Sequence, residues 1–555
     1  MVLLDSRRLT GANAVSDCAG AVIDVAVVEA RLDSVIAEWQ VQVGRILDAV
    51  GWHDARLFVR HCIGGASLAI SAPIDALYAA TEVNEWAWAT VAGLSDEDID
   101  AAQERLQRLI AEEANPALLR LEAAARAHGQ VFLSDDDEAS IGLGSGSECW
   151  PTSDLPAPEA VEWQRLHGIP VGLITGTNGK TTSVRLAAAV ARAAGYHAGY
   201  SSTDWLAVDD TLIERGDYAG PGGARSILRH KQVDIAILET ARGGLLRRGI
   251  GVPQAQAALI TRIARDHIGD FGSRNLDELL DAKWVVTRAL SSDGRLVLNA
   301  DDPMLVARSS QSPAPVVFFS LSTNSAVIRQ HVLHGGAAWA YDDEYLCVAR
   351  DDQWQQIVRA DEIPLTLGGA ARHNIANALG VAALCASLGI DHDTIARGLK
   401  AVSPGNNPGR GNLYDVSGVR VLVDFAHNPD AFRAIVELAA SLDAKRRIIA
   451  FGEAGDRTDE LIRDLATIAW ELRPDRIITL EIEKYARGRE RGEIGLLLHE
   501  RFLELGAHKK QLRHHESEME ALADALAWAR TGDLVIMLSL AEQDAVLRYL
   551  QKLSG

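Results

Sequence analysis

The sequence predicts an α/β protein with several folded parts. From about residue 168 onward, short apolar runs of strand length alternate with helical patterns, which is typical of mostly parallel sheets. A turn-rich segment at 405–411 divides this alternation in two. A chain of 555 residues is also too long for one hydrophobic core. We therefore expect an N-terminal α+β domain (1–133), a linker (134–167), a central α/β domain (168–405) and a C-terminal Rossmann-like domain (406–555).

Composition and charge limit the function classes. Hydrophobic residues make up 48% of the chain and charged residues 24%, as in ordinary soluble globular proteins. The net charge of −21 argues against nucleic acid as a partner. No apolar stretch reaches membrane-spanning length, and the charged N-terminus does not resemble a signal peptide. The five cysteines are scattered, which disfavours a disulfide framework. We expect a cytoplasmic protein that does not bind membranes, and homo-oligomerisation stays open.

The first 167 residues carry helices and then a connector. Leu32–Val50 has helical spacing and ends before Gly51, and 96–127 is helical with an interruption near Pro116. An acidic run at 135–138 and a Gly/Ser-rich stretch at 140–147 then favour a flexible linker. The acidic run could alternatively bind a cation.

The central domain begins with a strand, a glycine loop and a helix that together predict an anion-binding site. Residues 169–174 read as a buried strand, Gly176–Gly179 as a tight loop, and 180–194 as a helix. A helix N-terminus attracts anions, and Lys180 and the Thr181 hydroxyl suit phosphate and Mg²⁺. Only two residues separate the glycines, where the general phosphate-loop pattern has four, so a plain glycine turn is the alternative.

Later elements bring further polar side chains to strand ends. The strand at 234–239 ends in Glu239, and ligands of open α/β sheets bind beyond such ends. A third strand, 257–260, precedes Asp266 and His267, and a helix carries Lys283. Residues 304–365 read as an insertion of short strands. In the C-terminal domain, strands are predicted at 419–425, 447–451, 476–480 and 534–538.

The loop sequence Ile-Thr-Gly-Thr-Asn-Gly-Lys-Thr-Thr (174–182) resembles that of the Mur ligase superfamily, as does Glu-Thr-Ala-Arg-Gly-Gly (239–244). The resemblance implies ATP and two Mg²⁺ ions, with a carbamylated Lys283 as a metal ligand. It implies catalytic roles for Lys180, Glu239, His267 and Lys283, and metal ligation by Thr181, Glu239, His267 and Lys283. It implies ATP contacts at Gly176, Thr177, Asn178, Gly179, Lys180, Thr181, Thr182, Asn374 and Asn377 (adenine side), Arg410 (phosphate) and Asp424 (ribose).

Other segments resemble the cyanophycin synthetase family in particular. Residues 452–457 and 485–489 look like its Mur-like half, and 7–13 and 71–78 weakly resemble its N-terminal domain. This implies that the N-terminal domain positions substrate, and that His427, Asn428, Asp456, Arg457, Arg487 and Arg489 contact the amino acid or acceptor. Solvated loops and an unrelated scaffold domain are the alternatives. That family carries an ATP-grasp domain where this chain has only the linker, so full cyanophycin synthesis is not expected.

The resemblance implies an ATP-dependent, ADP-forming ligase that joins an amino acid to a peptide-like carboxylate acceptor through an acyl phosphate. Two alternatives stay open: a folate-type or cell-wall-type ligase of the same superfamily, and a non-catalytic ATP-binding regulatory module.

Overall fold

The computed structural model describes residues 1–266, 275–350 and 353–554. These residues form sheets of four, three, eleven and six strands. The predicted architecture, an α+β N-terminal part followed by two α/β parts, is confirmed, whereas the exact domain boundaries stay a prediction. Among the described residues, no helix is both long and apolar enough to span a membrane.

The N-terminal part packs helices against an antiparallel sheet of order β1-β2-β4-β3. Its core contains Trp39 and Trp88, and the Trp39 indole N–H donates to Asn84 Oδ1 at 3.0 Å. The helical pattern at 96–127 divides in two because Asn115 caps a new helix that starts at Pro116. The elements are β1 (Val2–Leu9), β2 (Gly20–Ala26), α1 (Leu32–Val50), β3 (Leu57–Cys62), β4 (Gly65–Ser71), α2 (Leu77–Ala92), α3 (Ile99–Glu113) and α4 (Pro116–Ala127).

The segment 134–167 is ordered, which corrects the expectation of a flexible linker. It contributes to an antiparallel sheet of β5 (Phe132–Ser134), β6 (Glu138–Ile141) and β7 (Glu148–Pro151). Ile141 and Leu166 pack into a small core with α4. The acidic run is held by arginines, because Arg229 donates to Asp135 Oδ2 at 2.6 Å and Arg8 donates to Asp136 Oδ2 at 2.7 Å. Composition could not reveal these partners, since they lie far away in sequence.

The central sheet has eleven strands in the order β11-β10-β9-β12-β8-β13-β14-β15-β16-β17-β18. Strands from β9 to β16 in this order pair in parallel, and antiparallel strands close both edges. The predicted insertion at 304–365 therefore continues the same sheet. The strands are β8 (Val171–Thr175), β9 (Ala198–Ser201), β10 (Trp205–Val208), β11 (Thr211–Arg215), β12 (Ile235–Glu239), β13 (Ala255–Ile260), β14 (Leu290–Asn299), β15 (Val316–Ser320), β16 (Ala338–Asp342), β17 (Tyr345–Arg350) and β18 (Gln353–Arg359).

Helices cover both faces of this sheet, so its parallel strands are buried. The strand β8, for example, is buried at every position. The helices are α5 (Lys180–Ala193), α6 (Pro221–Leu228), α7 (Arg242–Arg248), α8 (Leu276–Trp284), α9 (Pro303–Arg308), α10 (Ala326–Leu333), α11 (Arg372–Ser387) and α12 (His392–Ala401).

The C-terminal sheet has the order β19-β20-β24-β21-β22-β23, and all of its neighbouring pairs except β19–β20 are parallel. Its strands are β19 (Arg410–Val416), β20 (Val419–Asp424), β21 (Arg447–Gly452), β22 (Arg476–Leu480), β23 (Leu512–His515) and β24 (Leu534–Leu538). Its helices are α13 (Pro429–Ser441), α14 (Asp459–Trp470), α15 (Glu493–Glu504), α16 (Glu518–Trp528) and α17 (Gln543–Ser554). The first three helices pack on one face and the last two on the other.

The charge pairs of Asp135 predict how the segment 134–167 is held. Asp135→Asn keeps the local turn but removes the charged acceptor for Arg229 and Arg225, and we expect a loss of about 1.5–3 kcal/mol in the local stability. Proteinase K should then cut within 134–167 faster than in the wild type. The control is Asp154→Asn, because Asp154 is exposed in the same segment. Equal cutting of both variants would contradict the assigned role of Asp135.

Candidate active site

The loop between β8 and α5 is held by its carbonyl groups. Lys283 Nζ donates to Gly176 O at 2.7 Å, Lys180 Nζ to Thr177 O at 3.0 Å, and Thr261 Oγ1 to Asn178 O at 2.6 Å. Three successive carbonyl oxygens therefore already have donors. The N–H groups of the first turn of α5 have no acceptor within the helix. This arrangement suits an anion at the loop.

Two glycines of this loop lie where a side chain would not fit. Gly176 has φ +145°, and a Cβ there would lie 1.9 Å from Thr261 Oγ1. Gly179 caps α5 with φ +82°, and its Cβ would lie 2.2 Å from Asn377 Oδ1. Both positions favour glycine by backbone conformation, and a side chain there would have to displace Thr261 or Asn377.

Thr181, in the first turn of α5, meets Glu239 at the end of β12. The Thr181 hydroxyl donates to Glu239 Oε2 at 2.8 Å, and the Thr203 N–H donates to the same oxygen at 3.3 Å. The other carboxylate oxygen, Glu239 Oε1, is buried without a hydrogen-bond partner among the described residues. Burial raises the pKa of Glu239, while the positive charge of Lys180 acts in the opposite direction. An unpartnered carboxylate oxygen beside a hydroxyl suits a hard cation such as Mg²⁺.

Lys283 is a buried lysine behind the loop, with 4% of its surface exposed. Burial lowers its pKa well below the ordinary value, and the nearby charge of Lys180 adds to this effect. A lysine in this environment is neutral more readily than a surface lysine. His267, the expected metal ligand beside it, lies outside the described residues.

The C-terminal domain contacts the loop directly. Asn178 and Asn428 exchange amide hydrogen bonds of 3.1 and 2.9 Å. Asn178 Nδ2 also donates to Asp430 Oδ2 at 2.9 Å, and Asp430 forms an ion pair with Arg262 at 2.9 Å. Asn428 additionally caps α13 by accepting from the Ala431 N–H. The structure thus assigns Asn428 an interdomain contact with the loop, whereas its predicted contact with substrate stays untested.

A second set of charges connects the two domains near Asp266. Its carboxylate lies 3.8 Å from His427 Nε2 and 3.8 Å from an Arg457 guanidinium nitrogen. Burial lowers the pKa of His427 and the Asp266 carboxylate raises it, with a net increase. Arg457 Nε also lies 4.0 Å from Glu453, where burial raises the carboxyl pKa to about 7.

Most of these groups line one cavity of about 1180 Å³ between the central and C-terminal domains, whereas Thr261, Asn428 and Asp430 lie outside its wall. In a chain of net charge −21, the described wall of this cavity is locally basic. It carries eight basic residues, namely Lys180, Arg242, Arg247, Arg248, Lys283, Arg410, Arg457 and Arg487. Its six acidic residues are Asp204, Asp217, Glu239, Asp266, Glu453 and Asp456. A basic cavity of this size suits an anionic ligand as large as a nucleotide.

Only some of the residues predicted to contact the nucleotide line this cavity. Arg410 lines the cavity, 4.7 Å above the Phe425 ring and 3.7 Å from Asp204. Asp424 is paired with Arg410 in the β19–β20 ladder, and burial raises its pKa to about 6. Thr182 accepts a 3.3 Å hydrogen bond from Asn407.

The two asparagines of α11 lie behind the loop. Asn377 packs against Gly179 and donates to Asn374 Oδ1 at 3.1 Å, while Asn374 donates to Leu365 O at 2.8 Å. Neither asparagine is among the described residues that line the large cavity. Their contact with adenine therefore stays a prediction, and their visible role is to support the loop.

The predicted substrate residues after β21 and β22 divide into two groups. Asp456 and Arg487 line the cavity and pair with each other. Arg489 instead donates to Gly455 O, Arg457 O and Asp459, which ties the two loops together. In the structure the Arg489 guanidinium is occupied by these oxygens, and its contact with substrate stays a prediction.

Sequence reasoning missed several members of the wall. Thr203 and Asp204 follow β9, and Glu453 follows β21 directly. A search for polar residues just after every parallel strand would have found them. Arg247 comes from α7, which the N-terminal domain contacts through an Arg7 Nε hydrogen bond to Leu246 O of 3.0 Å.

Models of known protein families match the sequences of both domains that form the cavity. The Mur ligase middle domain matches residues 174–385, and the Mur ligase glutamate ligase domain matches 409–539. Together they cover more than half of the chain. The protein therefore belongs to the Mur ligase family.

Within this family, 67% of this chain aligns with the cyanophycin synthetase of Trichormus variabilis at 36% identity. The aligned part is only 41% of that relative's length. It is also 27% identical to the UDP-N-acetylmuramoyl-L-alanyl-D-glutamate--2,6-diaminopimelate ligase of Geobacter metallireducens, over 68% of the chain and 74% of the relative.

Solved structures share the Mur ligase fold at low sequence identity. MurF from Acinetobacter baumannii superposes with a TM-score of 0.51 at 17% identity, covering 69% of this chain and 77% of that one. FolC of E. coli, solved with DHPP and ADP, gives 0.51 at 18% identity, covering 69% and 89%.

The close contact at Gly179 predicts an effect on nucleotide binding. Gly179→Ala should weaken ATP binding at least about tenfold, because the new methyl group would press on Asn377 and move the loop. Isothermal titration with a non-hydrolysable ATP analogue measures this. Gly195→Ala is the matched control, since Gly195 also has positive φ, +88°, but a Cβ there would meet no atom of the described residues within 4 Å. Equal weakening in both variants would assign the effect to backbone strain alone.

Proposed function

We propose that this protein is an ATP-dependent, ADP-forming ligase that makes an amide bond between an amino acid and a carboxylate acceptor. The observation that supports it most is the position of Lys180 and the Thr181–Glu239 pair on one wall of the cavity. Arg410, His427 and Arg457 of the C-terminal domain line the same cavity. A site that only bound ATP would not require this second, converging set of charges.

In the proposed reaction, an acceptor carboxylate attacks the γ-phosphorus of ATP, which gives an acyl phosphate and ADP. The amine of an amino acid then attacks the acyl carbon, loses a proton and displaces phosphate. Lys180 would stabilise the charge that develops on the transferred phosphoryl group. Closure of the two domains through the Asn178–Asn428 contact would shield the acyl phosphate from water.

Magnesium fits the residues present. The unpartnered Glu239 Oε1 and the Thr181 hydroxyl are hard oxygen donors beside the loop. Bound there, the ion would neutralise charge on the phosphates. Among the described residues, no group of three or more His, Cys, Asp or Glu converges to hold a metal, so a second ion would depend on Lys283 and on His267.

The N-terminal domain is proposed to position the acceptor. A further cavity of about 510 Å³ lies between its strands and α7, and Arg247 lines both cavities. An elongated acceptor could therefore lie across α7 with its carboxylate near the loop. Peptides are the first acceptor class to test, because relatives at 36% identity are cyanophycin synthetases. Folate-type and cell-wall-type acceptors are the alternatives.

The experiment is a screen of ADP release with ATP, the natural amino acids and short peptide acceptors. ADP should accumulate only when both a carboxylate acceptor and an amine are present. Release of AMP and pyrophosphate would instead indicate an adenylate intermediate. ATP binding without any turnover would favour a regulatory module.

The loop lysine gives a direct test of this function. Lys180→Ala should reduce ligation about 100- to 1000-fold, as removal of one strong transition-state contact does elsewhere. The melting temperature should change little, because the Lys180 side chain is only half-buried. Lys231→Ala, an exposed lysine of the same domain, is the control and should remain fully active. Near-normal product from Lys180→Ala would reject the assigned loop.

The lowered pKa of Lys283 leads to the prediction of a carbamate. The neutral amine is the form that reacts with CO₂, and the product would be an anion with two oxygen donors for Mg²⁺. Lys283→Ala should lower the activity at least about 10- to 100-fold, the loss that removal of even an outer-shell metal partner causes. Acetate should restore part of it.

Lys283→Arg should remain inactive even with acetate, because guanidinium forms no carbamate and fills the space. Carbon-13 NMR of the wild type with labelled bicarbonate should show a carbamate signal that Lys283→Ala lacks. Absence of this signal in active enzyme would leave Lys283 with only its contact to the Gly176 carbonyl.

A further inference from the structure

Glu453 directly follows the carboxyl end of β21, in the part of the C-terminal sheet where α/β proteins usually bind ligands. From β21 the chain continues into α14 on one face of the sheet. The neighbouring strand β24 continues into α17 on the opposite face. Neighbouring strands whose connections leave in opposite directions open a crevice at their carboxyl ends. Glu453 and Leu540, which come after these two strands, both line the large cavity.

The two carboxylate oxygens of Glu453 differ in their environment. Oε1 accepts the Ala454 N–H at 2.8 Å and lies 4.0 Å from Arg457 Nε. Oε2 is buried without a hydrogen-bond partner in the described part of the chain, and the residue is only 1% exposed. Buried carboxylate oxygens almost always have a donor, so this one is prepared for a donor that the described residues do not supply.

We propose that Glu453 Oε2 binds the ammonium group of the incoming amino acid. This inference rests on the proposed function and deepens it, since it names the group that recognises the amine. At neutral pH an amino acid reaches the site as an ammonium ion, a compact cation with three donors. It is the one cationic hydrogen-bond donor that the proposed reaction always brings to this cavity.

The surrounding charges fit an amino acid zwitterion. Arg457, four residues after Glu453, and Arg487, from the loop that bonds to Gly455 through Tyr485 O, also line the cavity. Guanidinium groups suit a carboxylate, and a substrate carboxylate at Arg487 would share it with Asp456. A free amino acid offers both charges at a short, fixed separation. The acceptor, in contrast, must reach the phosphate loop on the other wall, where Lys180 lies.

The test separates the amine step from the acyl phosphate step. Hydroxylamine is uncharged at neutral pH and traps acyl phosphates as hydroxamates, so it requires no ammonium site. The full chain is assayed with ATP and the best acceptor from the screen, with either hydroxylamine or the best amino acid as the nucleophile. Glu453→Gln keeps the shape and removes the charge.

We expect Glu453→Gln to raise KM for the amino acid at least about tenfold. Hydroxamate formation and KM for ATP should remain at wild-type values. Glu481→Gln is the matched control, because Glu481 is a buried carboxylate after the adjacent strand β22 and accepts the Gly492 N–H outside the cavity wall. It should behave as the wild type in both assays.

Two outcomes would overturn the inference. An unchanged KM for the amino acid would show that Oε2 does not bind the ammonium group. Loss of hydroxamate together with amide product, in a variant with a normal melting temperature, would place Glu453 in the acyl phosphate step. Failure of the wild type to form either product would be different, since it would reject the proposed function itself.

Discussion

The site depends on the way the protein binds the carbonyl side of one short loop. Lys283, Lys180 and Thr261 each donate to a successive carbonyl oxygen of 176–178. A peptide group whose oxygen is fixed in this way has its N–H fixed as well, since the two lie in one plane. The proposed phosphate-binding face is therefore prepared largely by contacts on its opposite side, while the Thr177 N–H itself donates to Arg262 O at 2.7 Å. Two of the three donors are also candidates for chemistry, so support and reactivity cannot be separated by a single substitution.

The same loop is where the two α/β domains meet. Asn178 bonds to Asn428 and Asp430, while Asp266 lies between His427 and Arg457. Each contact joins a residue after a central strand to a residue after a C-terminal strand. Both sheets thus direct the carboxyl ends of their strands towards one cavity, where the field of each helix N-terminus adds to the others. Movement of the domains would change the cavity wall and the loop together.

Two carboxylates in the described wall each keep one buried oxygen without a hydrogen-bond partner. Glu239 Oε1 lies beside the phosphate loop, and Glu453 Oε2 lies in the C-terminal domain. Burial raises the pKa of each of these carboxyls, because the nearby positive charges offset only part of the loss of water. A bound cation would relieve this at either place. The first suits a metal ion among hydroxyls, whereas the second lies beside arginines that suit a carboxylate-bearing partner.

The sequence alone determined the α/β alternation, the glycine loop between β8 and α5 and most strands near it, because these follow from local patterns of apolar residues and glycines. For example, β22 and β24 begin and end where the apolar runs do. The edge strands β19 and β23 were not predicted, since they are partly exposed and contain few apolar residues, which gives a weak pattern. Only the tertiary structure decided that 134–167 is ordered, that Arg489 is occupied, and that Glu453 faces the cavity. Those outcomes depend on partners that are distant in sequence, and no local pattern records which partner a charged side chain will meet.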